Sequence, residues 1–230
     1  MLVVLGRVVA AVSRRSRQWR KEVFIKLLSP RPGETILDLG GGSGDYIASI
    51  VEDRSVVTIA DNDENALRQA RDKYGFKTVI LDGSPKLSFP DKSFDIVFCS
   101  SVIEHVTGPK DVVFRMTCGK DFRILATQNQ SIFASEIDRV SKRYFVQTPY
   151  KFFPIESHSA LPNFLFLLPR RLQIWMLAFF AKFWFIDTTP DFHLLGTAEL
   201  AELFPNCRVL RERFLGFTKS IIAVGHATAD

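Results

Sequence analysis

Between Thr35 and Tyr46 the chain reads TILDLGGGSGDY. An apolar run delivers one carboxylate, Asp38, and glycine then occupies four of the five positions 40–44. Glycine loses more conformational freedom on folding than any other residue, so it concentrates where a backbone must bend sharply or lie against a ligand. Asp61 and Asp82 close the next two apolar runs in the same way. These residues describe a bend that touches a ligand, backed by acids at three successive run ends. A dinucleotide would need the spacing G-x-G-x-x-G, with its pyrophosphate on a helix N-terminus. Gly40 and Gly42 fit that spacing, but the third position is Asp45, whose carboxylate repels a pyrophosphate. The spacing is instead G-x-G-x-G, and no Lys-Ser/Thr pair follows to complete a P-loop.

Candidates for general acid–base work are few, because the chain holds four histidines. His226 lies in the tail, His193 lies far along the chain, and His105 sits in the segment IEHV. Glu156 and His158 are two apart in QTPYKFFPIESH (Gln147 to His158), a loop restrained by Pro149 and Pro154. They are the candidate catalytic pair, with the alternative that they bond each other and brace the loop. The three cysteines (Cys99, Cys118, Cys207) are scattered without a C-x-x-C pair, which argues against a disulfide framework and a zinc site and for a reducing compartment. No metal ligand set is expected.

The elements that must position these groups follow from periodicity. Residues 3–28 read as one or two amphipathic helices, and SPRPGE (Ser29 to Glu34) as a loop. Strands are expected at Thr35–Leu39, Val56–Ala60, Thr78–Leu81 and Phe94–Cys99, with helices at Asp45–Glu52 and Asp63–Tyr74 between them. This alternation implies a parallel sheet covered on both faces, with right-handed crossovers that bring all strand C-termini, and so the three acids, to one edge. Ligands bind along such an edge. Lys110–Gln130 is poorly periodic and reads as a short helix plus an irregular excursion. Phe133, Ile137 and Val140 return to helical spacing, and a strand follows at Arg143–Gln147. Residues 149–192, rich in Phe, Pro and Trp, read as an insertion or cap. Thr197 is expected to cap a helix ending near Phe204, and Val209–Phe214 with Ser220–Val224 to form a closing strand pair.

At this point the chain resembles a known family. ILDLGGGSGDY is similar to the first motif of class I S-adenosylmethionine-dependent methyltransferases, of the type 11-like group. The resemblance implies S-adenosylmethionine as cofactor, a ligand with an adenosine, a sulfonium and an amino-acid tail but no phosphate. It implies a cofactor site of Asp38, Gly40, Gly41, Gly42, Asp61, Asn62, Asp82, Gly83 and Ser100. Asp61, 23 positions after Asp38, matches the acid that takes both ribose hydroxyls, and Asp82 the acid that meets the adenine amino group. FPDKSFDIVFCSSVIEHV (Phe89 to Val106) resembles the fourth-strand motif, which would put Ser100 and Ser101 beside the sulfonium. The fold implied is α/β, Rossmann-like, with a mostly parallel seven-stranded sheet and helices on both faces. QTPYKFFPIESH resembles a segment T-P-x-x-F-P-x-E-x-H of a bacterial branch of methyltransferases, apart from Tyr150, where Asn is usual. That implies surface-polysaccharide or lipid metabolism.

The organisation expected is a basic amphipathic helical arm at 1–30 and a methyltransferase domain at 31–230, with the aromatic-rich cap at about 149–192. The arm carries the charge. Residues 1–26 hold seven cations against Glu22, while the remainder of the chain is at −1. No cleaved signal peptide is expected, because positive charge follows rather than precedes the apolar start. Charge-free runs between 160 and 181 reach only about ten residues, half of what a membrane span needs. The arm and residues 161–186 could instead rest on an anionic membrane surface, so the location expected is cytoplasmic or membrane-peripheral. The expected reaction is transfer of a methyl group to oxygen, less favourably nitrogen, of a small molecule, glycan or lipid-linked glycan. The alternatives are an RNA methyltransferase and a non-catalytic, membrane-associated cofactor binder. Nucleic acid is disfavoured, because the body is nearly neutral and TPYK is only a partial match to a base-stacking loop.

Overall fold

The computed structural model describes residues 2–154, 168–180 and 191–226. A seven-stranded sheet runs in the order β3-β2-β1-β4-β5-β7-β6. Strands β1 (Ile36–Leu39), β2 (Val57–Asp61), β3 (Lys77–Ile80), β4 (Phe94–Ser100) and β5 (Ser141–Pro149) pair in parallel. The last two, β6 (Cys207–Phe214) and β7 (Phe217–His226), form an antiparallel hairpin, with β7 also antiparallel to β5. From β1 the chain first builds outward to β2 and β3, then returns to lay β4 on the other side of β1. Crossovers leave β1 and β4 toward opposite sides, so a crevice opens above their C-termini. The glycine segment leaves β1 at that crevice.

Alternation along each strand sorts the core into two layers. Leu37, Leu39, Val97, Cys99 and Val146 pack under α5 (Gly119–Val140) and α7 (Thr197–Leu203), against Phe133, Ile137 and Leu200. Ile36, Ile59, Phe98 and Phe145 face the other way, under α1 (Leu2–Leu28), α2 (Asp45–Ala48) and α3 (Glu64–Tyr74). The basic N-terminal segment is one continuous helix, and its last turns enter this second layer. Phe24 is fully buried, with ring centroids 5.3 Å from Phe98 and 5.7 Å from Phe145, both edge-on.

Three expectations need correction. The segment Lys110–Gln130 is not mainly irregular: α4 (Lys110–Val113) precedes the 22-residue α5, which begins at Gly119. The buried stripe of α5 runs through Phe122, Ala126, Gln130, Phe133 and Ile137, and the glutamine at its middle breaks the apolar period. Gln130 is buried because its Nε2 donates to the carbonyls of Ile103 (2.9 Å) and His193 (3.0 Å). The helix after the glycine segment ends at Ala48 rather than Glu52, where the chain tightens into a shorter-range turn, Ile50 N–H to Ile47 O. Thr197 is not the cap of α7. Gly196 holds that position, and its N–H donates to Glu199 Oε2 at 2.6 Å.

Phe24→Ala should destabilise the protein by about 3–5 kcal/mol, the usual effect of emptying a buried phenylalanine site. Urea unfolding measures it, and a loss below about 1 kcal/mol would mean that α1 is not part of the folded core.

Candidate functional site

The site is built at the C-termini of β1, β2 and β4. Asp38 points from β1 toward the layer under α2 and is only 3 % exposed. Its carboxylate forms no hydrogen bond among the described residues. Burial, and then the neighbouring charge of Asp61, push its pKa up to about 7. The glycine segment lies directly over it. A Cβ on Gly41 would come within 2.3 Å of Asp38 Oδ2, so this residue must be glycine for the acid to sit where it does. Gly44, at φ 72°, packs where a Cβ would meet Ile59 Cδ1 at 2.5 Å, and so lets the loop enter α2 against β2. Gly40 and Gly42 also adopt positive φ.

Asp61 ties this loop to the second strand. Its Oδ2 accepts from Gly42 N–H at 2.8 Å and its Oδ1 from Asp63 N–H at 2.9 Å. Each oxygen keeps a further lone pair beyond these bonds. Asn62, exposed, follows between β2 and the Asp63 cap of α3, where Asp63 Oδ1 accepts from Asn65 N–H at 2.9 Å. Asp82 is exposed beyond β3, its Oδ1 accepting from Ser84 N–H at 2.7 Å around Gly83. Asp45 does not cap α2. Lys73 (2.6 Å), Tyr74 and Ser43 (2.7 Å) bond its carboxylate, in that order of effect, and hold its pKa well below the usual range.

At the end of β4 the backbone is strained: Ser101 sits at φ 60°, a left-handed conformation rare for a non-glycine residue. The hydroxyls of Ser100 (2.7 Å) and Ser101 (3.2 Å) both donate to Gln147 Oε1, next door on β5. Arg20 Nη1, reaching over from α1, donates to the same oxygen at 2.7 Å. Arg20 Nε also meets Glu212 Oε2 at 2.9 Å. Gln147 is fully buried, and its Nε2 is left without an acceptor. Neither Gln147 nor Arg20 was legible as a site residue, since their partners lie 127 residues apart in sequence.

Of the histidines, His193 Nδ1 contacts Gln130 Oε1 at 2.9 Å, and burial depresses its pKa to about 4, which keeps it neutral. His105 faces Asp191 at 3.6 Å and packs edge-on to Phe192. His226 ends β7, exposed. The candidate pair Glu156 and His158 lies outside the described residues. No cluster of metal-binding side chains occurs among the described residues, and no described helix is long and apolar enough to cross a membrane.

The geometry offers a buried acid lacking a hydrogen bond among the described residues and carboxylates at two further strand ends. Together these can hold a positively charged ligand rich in hydroxyl and amine groups. Residues 37–117 match a family described as a methyltransferase domain. Over 108 residues the chain is 35 % identical to the ubiquinone/menaquinone biosynthesis C-methyltransferase UbiE of Shewanella woodyi, covering 43 % of this chain and 42 % of that protein. Its namesake in Vibrio parahaemolyticus is 36 % identical over 118 residues, covering 47 % and 43 %. The chain thus spans less than half the length of these relatives. The PH0226 protein of Pyrococcus horikoshii shares the fold at TM-score 0.57 and 16 % identity, covering 94 % of this chain and 91 % of that one. So does magnesium protoporphyrin IX methyltransferase of Synechocystis, with bound SAH, at TM-score 0.55 and 14 % identity, covering 96 % and 87 %.

Asp38 makes a test of its own. Its carboxyl is raised in the fold to about 7, so it keeps a proton that the unfolded chain has already lost. From about pH 4 to 7 the folded state therefore binds more protons, and its contribution to stability falls as pH rises, by about 1.4 kcal/mol per unit at most. Urea midpoints across this window should drop less in Asp38→Asn than in the parent; parallel curves would place the Asp38 carboxyl in water.

Proposed function

We infer that this class I S-adenosylmethionine-dependent methyltransferase domain transfers a methyl group to a small-molecule acceptor. The observation that carries the reading is Asp38, a buried carboxylate with no hydrogen bond at the reversal of strand order. Burying an unpaired charge is costly, and a bound cation relieves that cost. The residues fit the cofactor on that ground. S-adenosylmethionine, when bound, supplies a methyl group already activated on a sulfonium.

The chain's own groups then hold and align. Asp38 answers the positive charge of the ligand, and the glycine backbone lets the ligand lie close to β1. Asp61 takes the ribose hydroxyls on the lone pairs its two backbone bonds leave over, with Asn62 beside it. Asp82 and Gly83 border the adenine. Ser100, whose hydroxyl donates to Gln147 Oε1, borders the reacting centre. Methyl transfer then depends chiefly on aligning the nucleophile and excluding water. Arg20, reaching from α1 to Gln147 near the end of β5, borders the crevice on one side, which serves the second need.

The relatives' name is C-methyltransferase, so carbon joins oxygen and nitrogen as the acceptor atom, and oxygen is no longer favoured over the others. Glu156 and His158 stand as the base for acceptors that must lose a proton. A glycan or lipid-linked acceptor, with membrane contact through residues 1–26 and 161–186, belongs to the same reading. Support comes from exposed Arg14, Arg15 and Arg17 on α1 and from the exposed, stacked pair Trp175 and Phe179 on α6 (Arg170–Phe180).

Incubation of a host extract with methyl-labelled cofactor should place label in the small-molecule or lipid fraction. Label in RNA would favour the nucleic-acid reading, and cofactor binding without any transfer would favour a non-catalytic binder. Asp61→Ala should weaken S-adenosylmethionine binding by about ten- to a hundredfold, as expected from losing charged hydrogen bonds of about 1.5–3 kcal/mol. An unchanged dissociation constant by calorimetry would remove Asp61 from the site.

A further inference from the structure

On the α5 side of the same sheet edge lies a cavity of about 730 Å³ that the cofactor does not account for. Five cations line it: Lys120 and Arg123 from the first turns of α5, Lys151 just past β5, and Arg170 and Arg171 at the start of α6. No carboxylate lines it among the described residues. Lys120, Arg123 and Arg171 are exposed and lie within 4 Å of no carboxylate among those residues. Lys151 pairs with Glu199 at 2.8 Å, and Asp191 faces His105 at 3.6 Å and Lys110 at 4.0 Å. The cavity also has an apolar wall, from Leu168, Phe192 and Leu194.

Its frame is rigid. The Arg170 guanidinium lies 3.6 Å over the Phe122 ring and donates to the carbonyls of Met116 (3.2 Å) and Val113 (3.3 Å). That fixes the start of α6 against the start of α5. The opposite wall hangs from the turn that follows β4: His193 N–H donates to Glu104 O at 2.7 Å, and Lys151 N–H donates to Leu195 O at 3.1 Å. The cavity therefore stands beside the end of β4, where Ser100 and Ser101 lie.

The geometry points to this cavity as the site for a phosphate or diphosphate group carried by the methyl acceptor, an inference that rests on the proposed methyl transfer. So many cations around one cavity exceed what a single carboxylate would neutralise. Arginine forks match phosphate oxygens in pairs, and the N-terminus of the 22-residue α5 adds its partial positive charge. The apolar wall suits a hydrocarbon or ring portion of the same molecule. The phosphate could be borne by a soluble ester or by a lipid headgroup, and the chemistry at the cavity is shared.

The test compares the full chain with its double variant Lys120→Glu/Arg123→Glu, both sites being exposed on α5. Calorimetry at low salt uses inorganic pyrophosphate as ligand. The parent should bind it with a dissociation constant of about 1 mM or below, and the variant about tenfold or more weakly. S-adenosylmethionine should bind both equally, which shows that the variant is folded. Vesicles of phosphatidylcholine with phosphatidylglycerol that displace pyrophosphate from the parent identify a lipid-borne source. Failure of those vesicles to displace it identifies a soluble one. Absence of pyrophosphate binding to the parent, or equal binding to both proteins, overturns the inference. If the parent binds pyrophosphate in this charge-dependent way but not S-adenosylmethionine, the methyl-transfer reading fails while the anion site stands.

Discussion

A carboxylate held in the protein interior without a partner governs this site. Asp38 occupies the strand from which the sheet grows in both directions, so its position follows from topology and not from a flexible loop. Gly41 presses against it from above, and Asp61 fastens the next residue of the loop, Gly42, to β2. The two acids repel each other, and that repulsion adds to the burial that raises the Asp38 pKa. A ligand bearing positive charge and hydroxyl groups relieves both strains at once.

The other side of the crevice depends on a second polar arrangement, equally buried. Gln147 collects three donors on one oxygen, from Ser100, Ser101 and Arg20, and so ties β4, β5 and α1 together. Arg20 is kept in place by Glu212, which Ser220 also bonds. The strained Ser101 can persist because this network and the backbone bond from its N–H to Gln147 O, at 2.9 Å, over-determine it. One consequence concerns the basic N-terminal segment. Its charge is not all available to outside partners, since Arg20 is committed inward while Arg14, Arg15 and Arg17 remain on the surface.

What could be read from the sequence was what is local. Apolar runs ending in Asp38, Asp61 and Asp82, separated by helix-length segments, fixed the parallel half of the sheet and its binding edge to within a residue or two. Four glycines within five positions marked the bend for the same reason, because glycine's conformational range is a property of one residue. What stayed hidden was what depends on distant partners. Gln130 looks like a break in a helix until Ile103 and His193 supply its acceptors, and so α5 was divided. Arg20 looks like one more surface cation until Gln147 and Glu212 meet it across 127 and 192 residues. Thr197 has the composition of a cap, yet Gly196 takes that role because Glu199 can reach back to its N–H.

This split between local and distant signals coincides with a split in function. The segment that matches the methyltransferase family ends at residue 117, just before α5 begins. It contains the glycine loop, the three strand-end acids and Ser100, that is, the residues proposed to hold the cofactor. Lys120, Arg123, Lys151, Arg170 and Arg171 all lie beyond it. A shared cofactor imposes the same charges and hydroxyls on every enzyme that uses it, so its half of the site keeps a recognisable pattern. The acceptor differs between enzymes, and the half that meets it is free to diverge. The match to the methyltransferase domain therefore speaks to the first half. The cations and apolar wall proposed to meet the acceptor lie in the second half, outside that match.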